Sequence, residues 1–224
     1  MLTQLPYSVS QEIMDLAGYD NLPTDDFKYT INQPSGDFFY DPWKVKSEHK
    51  DTVWGKILNT LPLPIGEARI VVLKPGTCYQ NHADIDDRYH LNIIGEQCYI
   101  IDFDNNHLTQ IITDGNWYEM DAGRIHSAAN FGRLDRIQIV VRKLLNKVEL
   151  NDPVAIKLTS IGMLKEDTRY VFDQTVSNWL NYANKQRIIA NFEFTHGKVF
   201  FNIERKQLDN LQNILIDKFR LDVL

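Results

Sequence analysis

ARIVVLKPGTCYQNHADIDDRYHLNIIGEQCYIIDFDNNHLTQIITDGNWYEMDAGRIHSAANFGRLDRIQIVVR, residues 68–142, is the stretch that decides the fold. Short apolar or alternating runs follow one another in it: Ala68–Leu73, Thr77–His82, Tyr89–Ile94, Cys98–Phe103, Leu108–Ile112, Asn116–Met120, Ile125–Asn130 and Arg136–Arg142. Turn formers separate them at Lys74-Pro75-Gly76, Gly95-Glu96, Asp104-Asn105-Asn106, Asp114-Gly115, Asp121-Ala122-Gly123 and Phe131-Gly132. Short strands at this spacing predict an all-β barrel or jelly roll. Eight such runs fit a double-stranded β-helix, the cupin form of that architecture.

Outward from this core the pattern changes. Towards the N-terminus, Ser8 to Gln11 has capping-box spacing and predicts a short helix through Ile13, Leu16 and Ala17, ended by Gly18. Residues 20–48 read as loop with short extended pieces, and a second helix is expected over Ser47–Leu61, with Val53, Trp54, Ile57 and Leu61 on one face. Towards the C-terminus, Asn151-Asp152-Pro153 reads as a boundary. The expected organisation is therefore a β-helix domain with N-terminal helices over 1–148 and a small α/β domain over 149–224. In the latter, Phe172, Val176, Trp179, Leu180 and Ala183 share a helical face. Ile188–Phe194 and Lys198–Glu204 flank His196-Gly197 as a hairpin, and Leu208, Leu211, Leu215 and Phe219 define a final amphipathic helix. Two uses of this tail stay open, packing on the barrel or mediating a homodimer.

With 224 residues and ordinary apolar content, the chain is large enough for a buried core. A formal charge of -6 and a pI near 5.5 argue against general nucleic-acid binding. MLTQLPYSVSQEIMDL has no positive region followed by an apolar run, and no stretch reaches membrane-spanning length. Cys78 and Cys98 do not make a disulfide framework. A cytoplasmic protein without membrane contact is expected.

The chemistry concentrates in Asn81-His82-Ala83-Asp84-Ile85-Asp86-Asp87-Arg88-Tyr89-His90. At a strand end, His82-x-Asp84 places an imidazole and a carboxylate on one side, because side-chain direction repeats every second residue. His126, which begins a later strand just after Gly123, is the candidate third ligand. Two histidines and one carboxylate form the facial triad of non-haem Fe(II) oxygenases, with positions open for a bidentate co-substrate and O2. Arg136 stands at the start of another alternating strand. An inward arginine is costly unless an anion meets it, and a dicarboxylic co-substrate supplies one.

At these residues the chain resembles the aspartyl/asparaginyl β-hydroxylase superfamily, including its bacterial proline hydroxylase branch. The resemblance covers roughly residues 65–145 and rests on His82-x-Asp84, Arg88-x-His90, His126, Asn130 and Arg136. It implies a double-stranded β-helix, Fe(II), 2-oxoglutarate and O2, and hydroxylation of an amino acid, free or within a peptide or protein. Carried over by position, His82, Asp84 and His126 ligate iron and Arg136 holds the distal carboxylate of 2-oxoglutarate. Arg88, His90 and Asn130 help to hold the co-substrate. Asp84 places the chain nearer the proline-hydroxylase-like branch, since the β-hydroxylases proper have glycine there.

Other polar residues read as structural. Asp86 and Asp87 are expected to be solvated turn carboxylates; His49, His107 and His196 are expected to be exposed; Trp117 and Tyr79 are expected in the core. Arg124 is a weaker candidate for a substrate carboxylate. Two rival readings remain: a cupin isomerase or dioxygenase without 2-oxoglutarate, and a sensor or binding module for a small carboxylate ligand.

Overall fold

The computed structural model describes residues 1–18, 22, 28–160, 174–195, 198–215 and 219–224. Packing divides the chain into two units: Met1–His82 with Asp86–Leu144, and Ala83–Ile85 with Leu145–Leu224.

The first unit is mainly β. Its strands are β1 (Leu2–Ser8), β2 (Lys28–Thr30), β3 (Asn32–Gln33), β4 (Lys44–Val45), β5 (Ile65–Leu73), β6 (Thr77–Cys78), β7 (Arg88–Ile94), β8 (Cys98–Asp102), β9 (His107–Ile111), β10 (Asn116–Met120), β11 (His126–Asn130) and β12 (Arg136–Lys143), with helices α1 (Gln11–Leu16) and α2 (Val53–Leu58). They form a six-stranded sheet, β1-β10-β7-β12-β5-β2, a four-stranded sheet, β6-β11-β8-β9, and the small pair β3-β4. Every pairing is antiparallel, an arrangement consistent with a β-sandwich.

Turn chemistry sets the first hairpin. Pro75 suits the first central position of a turn, and Gly76 adopts φ +67°, which other residues resist. Thr77 N–H closes that turn on Lys74 O at 3.3 Å.

Two expectations near the N-terminus are corrected. The helix begins at Gln11 after Ser10, and residues 2–8 form a strand paired with β10. The Ser8 signal is overridden by that pairing, and Pro6 is tolerated because β1 is a sheet edge. The helix expected over Ser47–Leu61 is instead one 3-10 turn, Ser47–His49, followed by α2, whose Thr52 cap accepts from Gly55 N–H.

The central strands of the large sheet, β7, β12 and β5, are largely buried on both faces. On one face Ile70, Val72, Leu91, Trp117, Ile137, Ile139 and Val141 join Ile31, Trp54, Ile57 and Leu58 in a single apolar core. Each such side chain contributes about 1.5–3 kcal/mol by leaving water. Trp117 Nε1 donates to Thr60 Oγ1 at 2.9 Å.

The other face follows by alternation. Register places Arg136, Gln138 and Val140 beside Asn92 and His90, and Arg88 beside Met120. Met120 and Leu2 on that face pack with Cys98, Ile100 and Ala128 of the four-stranded sheet. The interior between the two sheets is thus apolar in one part and polar in another.

The second unit holds a four-stranded antiparallel sheet, β14-β15-β13-β16, made of β13 (Pro153–Ser160), β14 (Ile189–Thr195), β15 (Lys198–Glu204) and β16 (Phe219–Val223). Helices α3 (Gln174–Lys185) and α4 (Leu208–Leu215) accompany it. The expected α3 face is buried at Val176, Trp179, Leu180 and Ala183; Phe172 lies outside the described residues, as do His196 and Gly197. Strand β13 was not expected, and Phe219 begins a strand paired with Ser160 rather than ending a helix. Among the described residues no helix is long and apolar enough to cross a membrane.

Candidate metal centre

Strand β6 ends at Cys78, but the chain stays extended enough for His82 to form an isolated antiparallel bridge with His126, the first residue of β11. His82 N–H donates to His126 O at 2.9 Å and His126 N–H to His82 O at 2.8 Å. This pairing sets the two imidazoles side by side, with ring centroids 4.3 Å apart. Asp84, two residues on, brings its carboxylate to them. One ligand atom from each of His82, Asp84 and His126 lies within 4.8 Å of the others, so the group can hold a metal ion. Donors at right angles around a cation bound at about 2.1 Å stand about 3 Å apart. Side-chain adjustment of an ångström or two closes the set.

The hydrogen bonds behind the imidazoles agree with that use. His82 Nδ1 lies 2.8 Å from Gln80 O, and His126 Nδ1 lies 2.8 Å from Arg124 O. A carbonyl only accepts, so Nδ1 is the donating nitrogen of each ring and Nε2 is the one left for a cation. That tautomer is the one a cation needs, and the carbonyl fixes each ring's orientation.

Deeper in the interior stands Arg136, wholly buried. Its Nε donates to Asn92 Oδ1 at 3.2 Å and its Nη2 donates to Gln138 Oε1. His90 Nδ1 lies 3.4 Å from the same Gln138 oxygen. Four polar atoms of this region are buried without a hydrogen-bond partner: Arg136 Nη1, Asn92 Nδ2, Tyr79 Oη and His90 Nε2. Burial pushes the Arg136 guanidinium down to about 10, so it remains charged at neutral pH. Burial, then the Arg136 charge, pushes His90 down to about 3, so this imidazole is neutral. Burial likewise raises the Tyr79 hydroxyl and the Cys98 thiol, against the pull of Arg136.

Several expected site residues have other work. Arg88 is gripped by the Asp86 carboxylate. Asn130 Nδ2 donates to Leu73 O at 2.9 Å and Leu134 O at 2.8 Å, and its Oδ1 accepts from Gly132 N–H at 3.0 Å, tying down the strand end. Arg124 pairs with Asp121 at 3.0 Å and Asp102 at 3.4 Å. Asp86 and Asp87 are buried, not solvated, because Asp86 meets Arg88 and Arg142 while Asp87 Oδ1 accepts from Ala122 N–H. His49 is buried against Tyr29, whose hydroxyl lies 2.9 Å from its Nε2, whereas His107 is exposed. Sequence reasoning missed Arg142, although it follows Arg136, Gln138 and Val140 at the strand's period of two.

No family model matches the chain, and no match to a curated protein was found.

Proposed function

We propose that this chain is an Fe(II)- and 2-oxoglutarate-dependent dioxygenase on a double-stranded β-helix, hydroxylating an amino acid, free or within a peptide or protein. The observation that carries this reading is Arg136: a wholly buried guanidinium with one nitrogen unpartnered, in the same unit as the imidazole pair. A buried cation with an unmet donor is costly, and a ligand carboxylate removes the cost. The resemblance to the aspartyl/asparaginyl β-hydroxylase superfamily points the same way.

In this reading His82, Asp84 and His126 hold Fe(II), with both imidazoles locked in the ligating tautomer. Arg136 binds the distal carboxylate of 2-oxoglutarate, and Asn92 and Tyr79 add donors to its oxygens. His90, kept neutral and sharing Gln138 with Arg136, would add no charge competing with that guanidinium. Arg88 and Asn130 are left out of this set, since Asp86 and the backbone engage them. The apolar part of the interior, Met120, Ile100 and Ala128, excludes water. When bound, Fe(II), 2-oxoglutarate and O2 supply the oxidation of an unactivated C–H bond, with succinate and CO2 as co-products.

The test is succinate formation by the purified full chain with Fe(II), 2-oxoglutarate and a panel of free amino acids and peptides. Stimulation by one panel member supports the reading and names the substrate. A protein that binds 2-oxoglutarate but never consumes it is a carboxylate sensor instead. One that binds neither metal nor 2-oxoglutarate refutes both.

A further inference from the structure

Asp84 belongs to the short segment Ala83–Ile85, and both ends of that segment are pinned. At the near end, His82 is bridged to His126 by the two backbone hydrogen bonds described above. At the far end, Asp86 is 2 % exposed, and its two oxygens meet different arginines: Oδ1 the Arg88 Nη1, and Oδ2 the Arg142 Nε at 3.0 Å. Next to it, Asp87 O accepts from Lys143 N–H at 3.0 Å and Asp87 Oδ1 from Ala122 N–H at 3.3 Å.

The arginines are not an accidental pair. Arg88 and Arg142 stand directly opposite each other on adjacent strands. Two like charges so placed repel unless an anion lies between them. Asp86 is that anion. Phe38 and Phe39 cover the outer side, with the Arg142 guanidinium 5.1 Å and 5.3 Å from their ring centroids. Shielded from water, the charge triad holds its geometry far more firmly than a surface pair does.

We propose that Asp86 is a positioning residue for the metal centre: gripped by Arg88 and Arg142 beneath the Phe38–Phe39 cover, it fixes the segment that presents Asp84 to His82 and His126. This rests on the metal-site reading above. It also assigns Arg88 to shaping the first ligand set, rather than to touching the co-substrate.

The experiment titrates the metal-free full chain with Co(II), read by its visible absorption, in parallel with thermal melting and near-ultraviolet circular dichroism. The variants are Asp86→Asn, Arg142→Leu and Asp86→Glu. Arg142→Leu leaves a charge-balanced Asp86–Arg88 pair, so it stays informative if Asp86→Asn does not fold. Folded Asp86→Asn and Arg142→Leu are expected to bind Co(II) about 10- to 100-fold more weakly, the range for lost supporting contacts around metal ligands. Asp86→Glu is expected to recover most of that loss. If folded variants melt earlier yet bind Co(II) as the natural chain does, the triad is only structural and the proposal is overturned. If the natural chain itself binds no Co(II), the metal-site reading falls and takes this proposal with it.

Discussion

Arg136→Met separates a ligand-binding arginine from a structural one. The side chain is wholly buried, and burial has pushed its pKa from 12.5 to about 10. At about 1.36 kcal/mol per pKa unit, this disfavours the charged form by about 3 kcal/mol. Methionine, similar in length and uncharged, relieves that cost. Against the relief stands one new orphan, Asn92 Oδ1, which loses the Arg136 Nε donor at 3.2 Å. Such an orphan costs about 1–3 kcal/mol. Gln138 Oε1 keeps His90 Nδ1 at 3.4 Å. The two effects nearly cancel, so the metal-free variant should lie within about 2 kcal/mol of the natural chain. A structural buried ion pair broken on one side would instead cost about 3–5 kcal/mol. The assay is urea unfolding of both proteins, without ligand and then with Mn(II) and 2-oxoglutarate under anaerobic conditions. At about 100 times its dissociation constant, 2-oxoglutarate should stabilise the natural chain by about 2.7 kcal/mol and the variant not at all. Equal stabilisation of both, or a loss of about 3–5 kcal/mol in the ligand-free variant, would refute the assignment.

Asp84→Ala and His126→Ala should each abolish stoichiometric Co(II) binding, and a titration showing unaltered affinity in either variant would remove that residue from the ligand set. Tyr79→Phe deletes a buried hydroxyl that has no partner, so stability should hold or rise by up to about 1 kcal/mol while 2-oxoglutarate binds more weakly; calorimetry of both quantities checks it. Asn32, 1 % exposed, donates to Gly66 O at 2.8 Å and accepts from Ala68 N–H at 2.7 Å. Asn32→Ala strands both backbone groups, and should cost about 3 kcal/mol in urea unfolding without changing Co(II) affinity. Burial pushes His49 below the ordinary imidazole value of 6.5, so the unfolded chain takes up that proton first. The His49 contribution to stability is full above about pH 6.5 and is lost as pH falls towards the folded value, by up to about 1.4 kcal/mol per pH unit. His49→Gln should flatten this part of the profile; an identical acid dependence in the variant speaks against it.

Much of the first unit was legible in its sequence because short alternating runs and Gly, Pro and Asp-Asn turns act locally. Asn116–Met120 forms a strand with the expected limits, and β5, β7, β8, β9, β11 and β12 differ from expectation by a few residues at their ends. What was illegible depends on partners distant in sequence. Strand β1 exists because β10 offers its edge, although a capping signal nearby suggests a helix. Thr77–His82 reads as one strand, but ladder pairing stops at Cys78 and resumes only at the His82 bridge. The grouping of His82, Asp84 and His126 was readable because the period of two in an extended chain and a histidine in a later strand of the same β-rich region nominate it together. The burial of Asp86 was not, since charge at a turn looks the same whether or not two arginines close over it, nor was that of Asp87 and His49, which depends on Ala122 and Tyr29, partners distant in sequence.

Strand β12 shows why polarity within a sheet carries functional information. Arg136-Ile137-Gln138-Ile139-Val140-Val141-Arg142 alternates like a strand with one wet face, yet its first four residues are all buried. Its Ile137–Ile139–Val141 side lies in the apolar core. Its other side carries two guanidiniums that folding withdraws from water, and a buried cation persists only where something offsets its desolvation. For Arg142 the offset is visible: Asp86 lies 3.0 Å away and two phenyl rings cover it. For Arg136, deeper and wholly buried, no carboxylate among the described residues plays that part, and two neutral amides leave Nη1 unmet. The same strand therefore holds one arginine neutralised by the protein and one that no carboxylate among the described residues neutralises, which is why the proposed co-substrate carboxylate is assigned to Arg136.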